Sequence, residues 1–287
     1  MSRNKDRVGG AHTTNVDAPP PPVVGETAGD FTFVVPTEFV ELPSEGKFYF
    51  EGHPLCGHDS IEIRQMTAKE EDILTSRTLL KKGVALDRVL QNLIKDKRIK
   101  ADSLLVGDRN AIIIAARISG YGNEYNTSVT CPSCEESQRY VFDLNDTNVY
   151  RGEDRDELDV TSNGDGTFKV KLPKTRVEVD FRLLTGSDEK GMTSSMNNNR
   201  KRKTKTYEKN VTRQLSSIVI AVNGDDSLEA RQYLIDNIPS MDSRHLRLAY
   251  RLSTPNIDLT QNFECSECDY EQDMEVPLTA DFFWPDR

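Results

Sequence analysis

Strand-like and helix-like stretches follow one another along this chain in an order that occurs twice. The stretch FTFVVPTEFVELPSEGKFYFEG, from Phe31, clusters β-formers around turn signals, notably Pro43-Ser44-Glu45-Gly46, and Ile61-Glu62-Ile63 reads as a further short strand. Thr67 with Glu70 three residues on forms a capping box: the hydroxyl takes an orphan amide and the carboxylate reaches back to the cap amide. It predicts a helix from Ala68 to about Leu80, closed before Gly83. A second helix, over about 86–95, sets Leu86, Val89, Leu90, Leu93 and Ile94 on one apolar stripe. A third begins near Asp108, read as its N-cap, and carries Ile112, Ile113, Ala116 and Ile118 up to Gly120-Tyr121-Gly122. Strands over 125–129 and 140–144 then flank Cys131-Pro132-Ser133-Cys134.

Residues 145–167 are acidic and turn-rich. Within them Asn163-Gly164-Asp165-Gly166 suits a hairpin turn; a Ca²⁺ loop is the alternative, although the terminal Glu of an EF-hand is absent. From Val170 the order restarts. Leu172-Pro173 echoes Leu42-Pro43, Val177 to Phe181 echoes the Ile61 strand, and Arg182 to Glu189 matches Arg64 to Glu71 position by position, Thr185 with Asp188 again making an N-cap arrangement. Asp108 stands as far before Cys131 as Asp242 does before Cys265, and Arg117-Ile118-Ser119 corresponds to Arg251-Leu252-Ser253. Beyond the cysteines, Phe142 and Leu144 correspond to Val276 and Leu278. The second copy inserts the polar, basic MTSSMNNNRKRKTK, after which helical stretches are expected near 207–222, 227–237 and 242–252. The fold class implied is α+β, an internally duplicated strand–helices–zinc-knuckle unit. The expected organisation is a disordered Pro-rich arm over 1–30, a first repeat over 31–150, an acidic linker over 151–167 and a second repeat over 168–287. The run Pro19 to Pro22 favours polyproline II, so the arm is either a spacer laid on a neighbouring subunit or a tail without a role.

Cys131 with Cys134, and Cys265 with Cys268, form two Cys-x-x-Cys knuckles, each between strands. A tight turn aims both sulfurs of such a pair at one point, and two pairs supply the four thiolates of a closed tetrahedral Zn²⁺ site of zinc-ribbon type. Four protein ligands leave no position for water, so the ion would be structural and would join one half of the molecule to the other. Redox dithiols would need a thioredoxin-like βαβ setting, which the pattern lacks; knuckles retained only for packing are the other alternative. Cys56, flanked by His53 and His58, is left over and reads as a buried or loop residue rather than a fifth ligand or a reactive thiol.

Composition narrows the function. A net charge of −10 gives no general basic surface for nucleic acid. Apolar content of 36% is low for a globule and points to disordered ends, long polar loops or partner-covered surfaces. No run is long and apolar enough for a membrane span, and MSRNKDRVGGAHTTN has no apolar signal core, so secretion is not expected. No phosphate-binding Gly loop follows a strand, and none of His12, His53, His58 and His245 pairs with a nucleophile, so no enzyme is read here. Arg200-Lys201-Arg202-Lys203 with Lys205 reads as a solvated loop, with contact to an acidic neighbouring protein next. The aromatic cluster at Phe282-Phe283-Trp284 suits docking into the core or into a partner groove.

The segments LPSEGKFYF, IEIRQMTAKEEDILTSRTLLKKG, LLVGDRNAIIIAARISGYGNEY, the CPSC knuckle and the closing FECSEC…FFWPD resemble the baseplate hub subunit family of T4-type contractile-tailed bacteriophages. The resemblance runs over most of the chain from about residue 40. It implies a tail baseplate component, or an assembly factor for the hub, that contacts other baseplate and tail hub proteins, with no catalytic residues, no small-molecule substrate and no membrane. The implied location is the virion, with the host cytoplasm during assembly.

Overall fold

The computed structural model describes residues 34–192, 210–277 and 280–283; the arm over 1–30, the basic run Arg200–Lys205 and Trp284 lie outside the described residues. Strands β1 (Thr37–Glu41) and β2 (Ser60–Arg64) pair antiparallel with Val40 opposite Ile61, which turns both toward the core. Helices α1 (Ala68–Thr75), α2 (Arg77–Lys82) and α3 (Ala85–Leu93) follow, and the chain then returns to β2, where Ile94 bridges Ile63 and the Lys95 amide donates to the Glu62 carbonyl at 3.1 Å. Helix α4 (Val106–Tyr121) runs through the core, burying Ile112, Ile113, Ile114 and Ala116. Strands β3 (Glu124–Thr130) and β4 (Ser137–Asp143) make the first knuckle hairpin.

After β5 (Asn148–Tyr150), strands β6 (Thr161–Ser162), β7 (Thr167–Lys171) and β8 (Glu178–Arg182) build an antiparallel sheet, which β9 (Val219–Val222) completes beside β8. Helical residues 186–192 and helix α5 (Asn210–Ile218) lie between β8 and β9 in sequence. Helices α6 (Leu228–Asn237) and α7 (Ser240–Ser253) lead to β10 (Asn256–Asp258), which pairs antiparallel with β5, and then to the second knuckle hairpin, β11 (Thr260–Glu264) with β12 (Glu271–Glu275). The architecture mixes helices with antiparallel strands, and Pro36–Arg287 forms one compact unit.

Two polar devices recur. Glu70, whose side chain is fully buried, accepts a bidentate pair from Arg64 at 3.1 and 2.6 Å, plus the Thr67 amide and hydroxyl at 3.1 and 2.7 Å. Asp188 does the same with Arg182 at 2.8 and 2.7 Å and with the Thr185 amide and hydroxyl, both at 2.8 Å. Asp108 accepts from the Ser44 amide and hydroxyl, at 3.0 and 2.6 Å, just after Leu42-Pro43. Asp242 accepts from the Lys174 and Thr175 amides and the Thr175 hydroxyl, just after Leu172-Pro173.

Three expectations change. The helix from Ala68 breaks at Ser76, whose extended backbone ends α1 and begins α2; the Thr75 hydroxyl draws off the Glu71 carbonyl at 2.9 Å, an alternative to helical bonding. Asp108 is not an N-cap but lies inside α4, its carboxylate committed to the Ser44 turn and to Tyr49 at 2.7 Å. The helix expected over 207–222 stops at Ile218, because Val219-Ile220-Ala221-Val222, three of its four residues β-branched, is taken up as the sheet strand next to β8. The Asn163 turn is a hairpin turn, joining β6 to β7. Residues 151–167 hold a 3₁₀ segment, Glu153–Leu158, and a buried Val160.

Candidate metal centre

The two knuckles fold alike. In the first, the Cys131 amide donates to the Glu136 carbonyl and the Glu135 amide to the Cys131 carbonyl; in the second, Cys265 with Tyr270 and Asp269 with Cys265 make the same two bonds, all at 2.9–3.0 Å. Each turn closes on a left-handed residue four after its first cysteine, Glu135 at φ 60° and Asp269 at φ 52°. At both sites the first cysteine is buried and the second exposed.

The chain brings the pairs together across more than a hundred residues. Sγ of Cys131 lies 3.8 Å from that of Cys268, Sγ of Cys134 lies 3.8 Å from that of Cys265, and all four sulfurs fall within 4.8 Å of one another. Tetrahedral Zn–S bonds of about 2.3 Å give sulfur–sulfur edges of about 3.8 Å, so the spacing fits one cation and is far too long for disulfides. The four cysteines could therefore hold a metal ion. Burial pushes the Cys131 thiol up, but amide donation from Cys134 and Ser133 outweighs it and brings the thiol to about 7. Cys134 receives the Glu136 amide, yet burial and the neighbouring sulfurs push it up to about 12. Four facing sulfurs resist ionising together unless a cation sits among them.

The hairpins are held in this pose from below. Tyr125, Phe142 and Phe263 are fully buried beneath the knuckles, and the Tyr140 ring packs at a tilt against Phe142 and Phe263, with centroids 4.8 and 5.1 Å away. Gln138 on β4 donates to the Glu264 carbonyl at 3.1 Å and accepts the Ser266 amide at 3.0 Å; the Tyr140 hydroxyl donates to the Asn262 carbonyl at 2.9 Å. At the hairpin bases, the β5–β10 pairing ties the chain leaving β4 to the chain entering β11. Arg117, fully buried and without a carboxylate partner among the described residues, donates to the carbonyls of Gly122, Glu124 and Phe282, which clamps the C-terminal 3₁₀ turn Ala280–Phe283 against the base of β3. Phe282 and Phe283 are buried in the chain's own core. Sequence reasoning missed Arg117, Gln138 and Tyr140 as positioning residues. Arg117 falls in line with Ile113 on the apolar face of α4, a signal that a buried cation was to be satisfied there.

The remaining candidates do not assemble. Cys56 is exposed in a turn. His53 is buried, stacks on Tyr49 at 4.4 Å, accepts the Leu55 amide at Nδ1 and meets the Ser103 hydroxyl at Nε2, so both ring nitrogens are engaged. Among the described residues only the four knuckle cysteines cluster as a metal-ligating set, and no helix is long and apolar enough to cross a membrane.

A family model described as T4 bacteriophage base plate protein matches residues 35–284. The match covers most of the chain, so the chain belongs to that family, a structural family of the phage tail whose members associate with other baseplate proteins. No curated protein and no solved structure matches it.

Proposed function

We propose that this member of the T4 base plate protein family is a non-enzymatic structural component at or near the tail hub, in contact with other baseplate and hub proteins. In this reading Cys131, Cys134, Cys265 and Cys268 hold a structural Zn²⁺ that keeps its contact surface rigid. The observation that carries the reading is the closed donor set. Four sulfurs at tetrahedral spacing, each pair bonded by its own turn, leave no open position for substrate or water. When bound, the ion supplies folding energy, on the order of 10 kcal/mol for structural sites of this kind. Zinc is favoured over iron, the other common occupant of an all-sulfur tetrahedron, because a redox-inert ion suits a scaffold.

The recurrence of the Arg64–Thr67–Glu70 and Arg182–Thr185–Asp188 boxes, of the Asp108 and Asp242 turn clamps, and of the knuckle bonding supports a duplicated unit over 31–150 and 168–287, with 151–167 between. A zinc-ribbon nucleic-acid-binding protein is disfavoured by charge. The second knuckle hairpin carries Glu264, Glu267, Asp269, Glu271, Asp273 and Glu275 and no Lys or Arg, so phosphates would be repelled.

Quantitative mass spectrometry of purified virions tests the function. Stoichiometric recovery supports a baseplate component, whereas abundance in infected cells but absence from particles makes the protein a hub assembly chaperone. Metal analysis of chelator-free protein tests the centre. One zinc per chain in a colourless protein is expected; less than half an equivalent, or the visible absorbance of iron thiolate, overturns zinc.

A further inference from the structure

The small sheet of β1 and β2 has one open edge. On β2 the outer side is taken, since Ile63 bridges Ile94. On β1 the bonding alternates. The Pro36 carbonyl accepts the Gln65 amide at 2.9 Å and the Leu42 amide donates to the Asp59 carbonyl at 2.7 Å, so Glu38 and Val40, in step between them, bond toward Ile63 and Ile61 of β2. The amides and carbonyls of Thr37, Phe39 and Glu41 therefore point away from β2. Among the described residues no second strand, bridge or other backbone bond meets them there. The side chains of these three residues lie on the solvent face, and Phe39 is 74% exposed. Natural sheets guard such an edge with a lysine, a bulge, or a proline that removes an outward amide. Strand β1 has no lysine and pairs with β2 without a register shift. Its neighbouring proline is out of phase as a guard, because Pro36 turns its bonding side to Gln65.

We infer that β1 is a dimerisation edge, and that its occupant is the stretch Phe31-Thr32-Phe33-Val34-Val35 of a second copy, paired antiparallel about a two-fold axis beside Pro36. Three features identify the occupant. The stretch is five β-formers in succession and runs straight into β1. Its phase is right: continued as a strand, it turns the backbone groups of Phe31, Phe33 and Val35 to the same side as those of Thr37, Phe39 and Glu41. The axis then sets Val35 opposite Thr37, Phe33 opposite Phe39 and Phe31 opposite Glu41 of the other copy. Each outward group meets an outward group, and the amide that Pro36 lacks is not one of them. The side chains also suit this register. Phe33 covers the exposed Phe39 as an aromatic cross-strand pair, Val34, 85% exposed, comes opposite Glu38, and neither Glu38 nor Glu41 meets another acid. Both copies use the same surface, so the contact closes on a dimer. The inference does not rest on the function proposed above.

Sedimentation velocity of the purified full chain under reducing conditions tests it. A dimer with a Kd on the order of 10 μM is expected, weakened about tenfold or more by Phe39→Lys. A proline scan gives the sharper reading. Phe33→Pro and Val35→Pro each remove an amide that faces the second copy and should weaken the dimer about tenfold or more. Thr32→Pro and Val34→Pro remove amides that face away from it and should change the Kd by less than about threefold. Melting temperatures of the four proline variants should match the wild type, because the compact unit begins at Pro36. Three results overturn the inference. A monomer at concentrations up to about 200 μM leaves the edge to a strand of another protein. A dimer indifferent to Phe39→Lys is built on another surface. Equal losses from prolines at odd and even positions reduce the association to apolar side chains without strand pairing.

Discussion

Glu70 is the most heavily bonded buried carboxylate of the first half, and Glu70→Gln isolates what its charge contributes. Burial pushes its carboxyl up, but the Arg64 guanidinium and the Thr67 hydroxyl and amide outweigh burial and hold it at about 2, below the ordinary 4.5; Asn92 adds a further bond at 3.2 Å. A carboxylate depressed in the folded state contributes stability that is complete above the unfolded value of 4.5. That contribution is lost as pH falls toward 2. The shift corresponds to about 3 kcal/mol at pH 7 and about 2 kcal/mol at pH 3.5. Glutamine keeps the shape but carries no charge, so the wild type should exceed Glu70→Gln by those amounts at the two pH values. The pH 7 figure also agrees with the roughly 3–5 kcal/mol lost when one partner of a buried pair is removed. Urea unfolding of both proteins, side by side at each pH, reads the difference, and background titration cancels. A gap below 1 kcal/mol at pH 7, or one that widens as pH falls, would refute the reasoning. Asp188→Asn should behave with the same sign and a smaller size, because Asp188 and Arg182 are more exposed than Glu70 and Arg64.

Gly107→Ala should destabilise by about 3 kcal/mol in urea unfolding, since a Cβ there would lie 1.9 Å from the Pro255 carbonyl oxygen and would part α4 from the chain entering β10. Arg117→Met should lose about 3 kcal/mol through three orphaned carbonyls, and limited proteolysis should then cut near Ala280–Phe283 before the body unfolds. Cys131→Ser should lower bound zinc below half an equivalent and remove the loss of stability that a chelator produces in the wild type, whereas Cys56→Ser, at an exposed turn, should change stability by no more than about 0.5 kcal/mol.

Local features of this protein were readable from the chain alone. The Thr67–Glu70 box forms as written, because its bonds span three residues and depend on little beyond them. The Cys-x-x-Cys turns likewise close within five residues, and the α3 stripe of Val89, Leu90 and Leu93 is buried as its periodicity required. Asp108 looked like an N-cap for the same local reason, yet its partner is Ser44, 64 residues away. Similarly, Val219–Val222 is a strand because β8 offers an open edge, not because of its neighbours in the chain. The convergence of Cys131 and Cys134 on Cys265 and Cys268 needed Tyr125, Phe142 and Phe263 packed beneath the hairpins, with Gln138 and Arg117 holding them from the sides. Hydrogen bonds between near neighbours are decided by residue type and spacing, so the sequence by itself determined the Thr67 and Thr185 boxes and the two knuckle turns. The partner of a buried charge far along the chain is decided by which surfaces pack; the sequence offered the union of the two knuckles only as an expectation, and the tertiary structure set their sulfurs 3.8 Å apart.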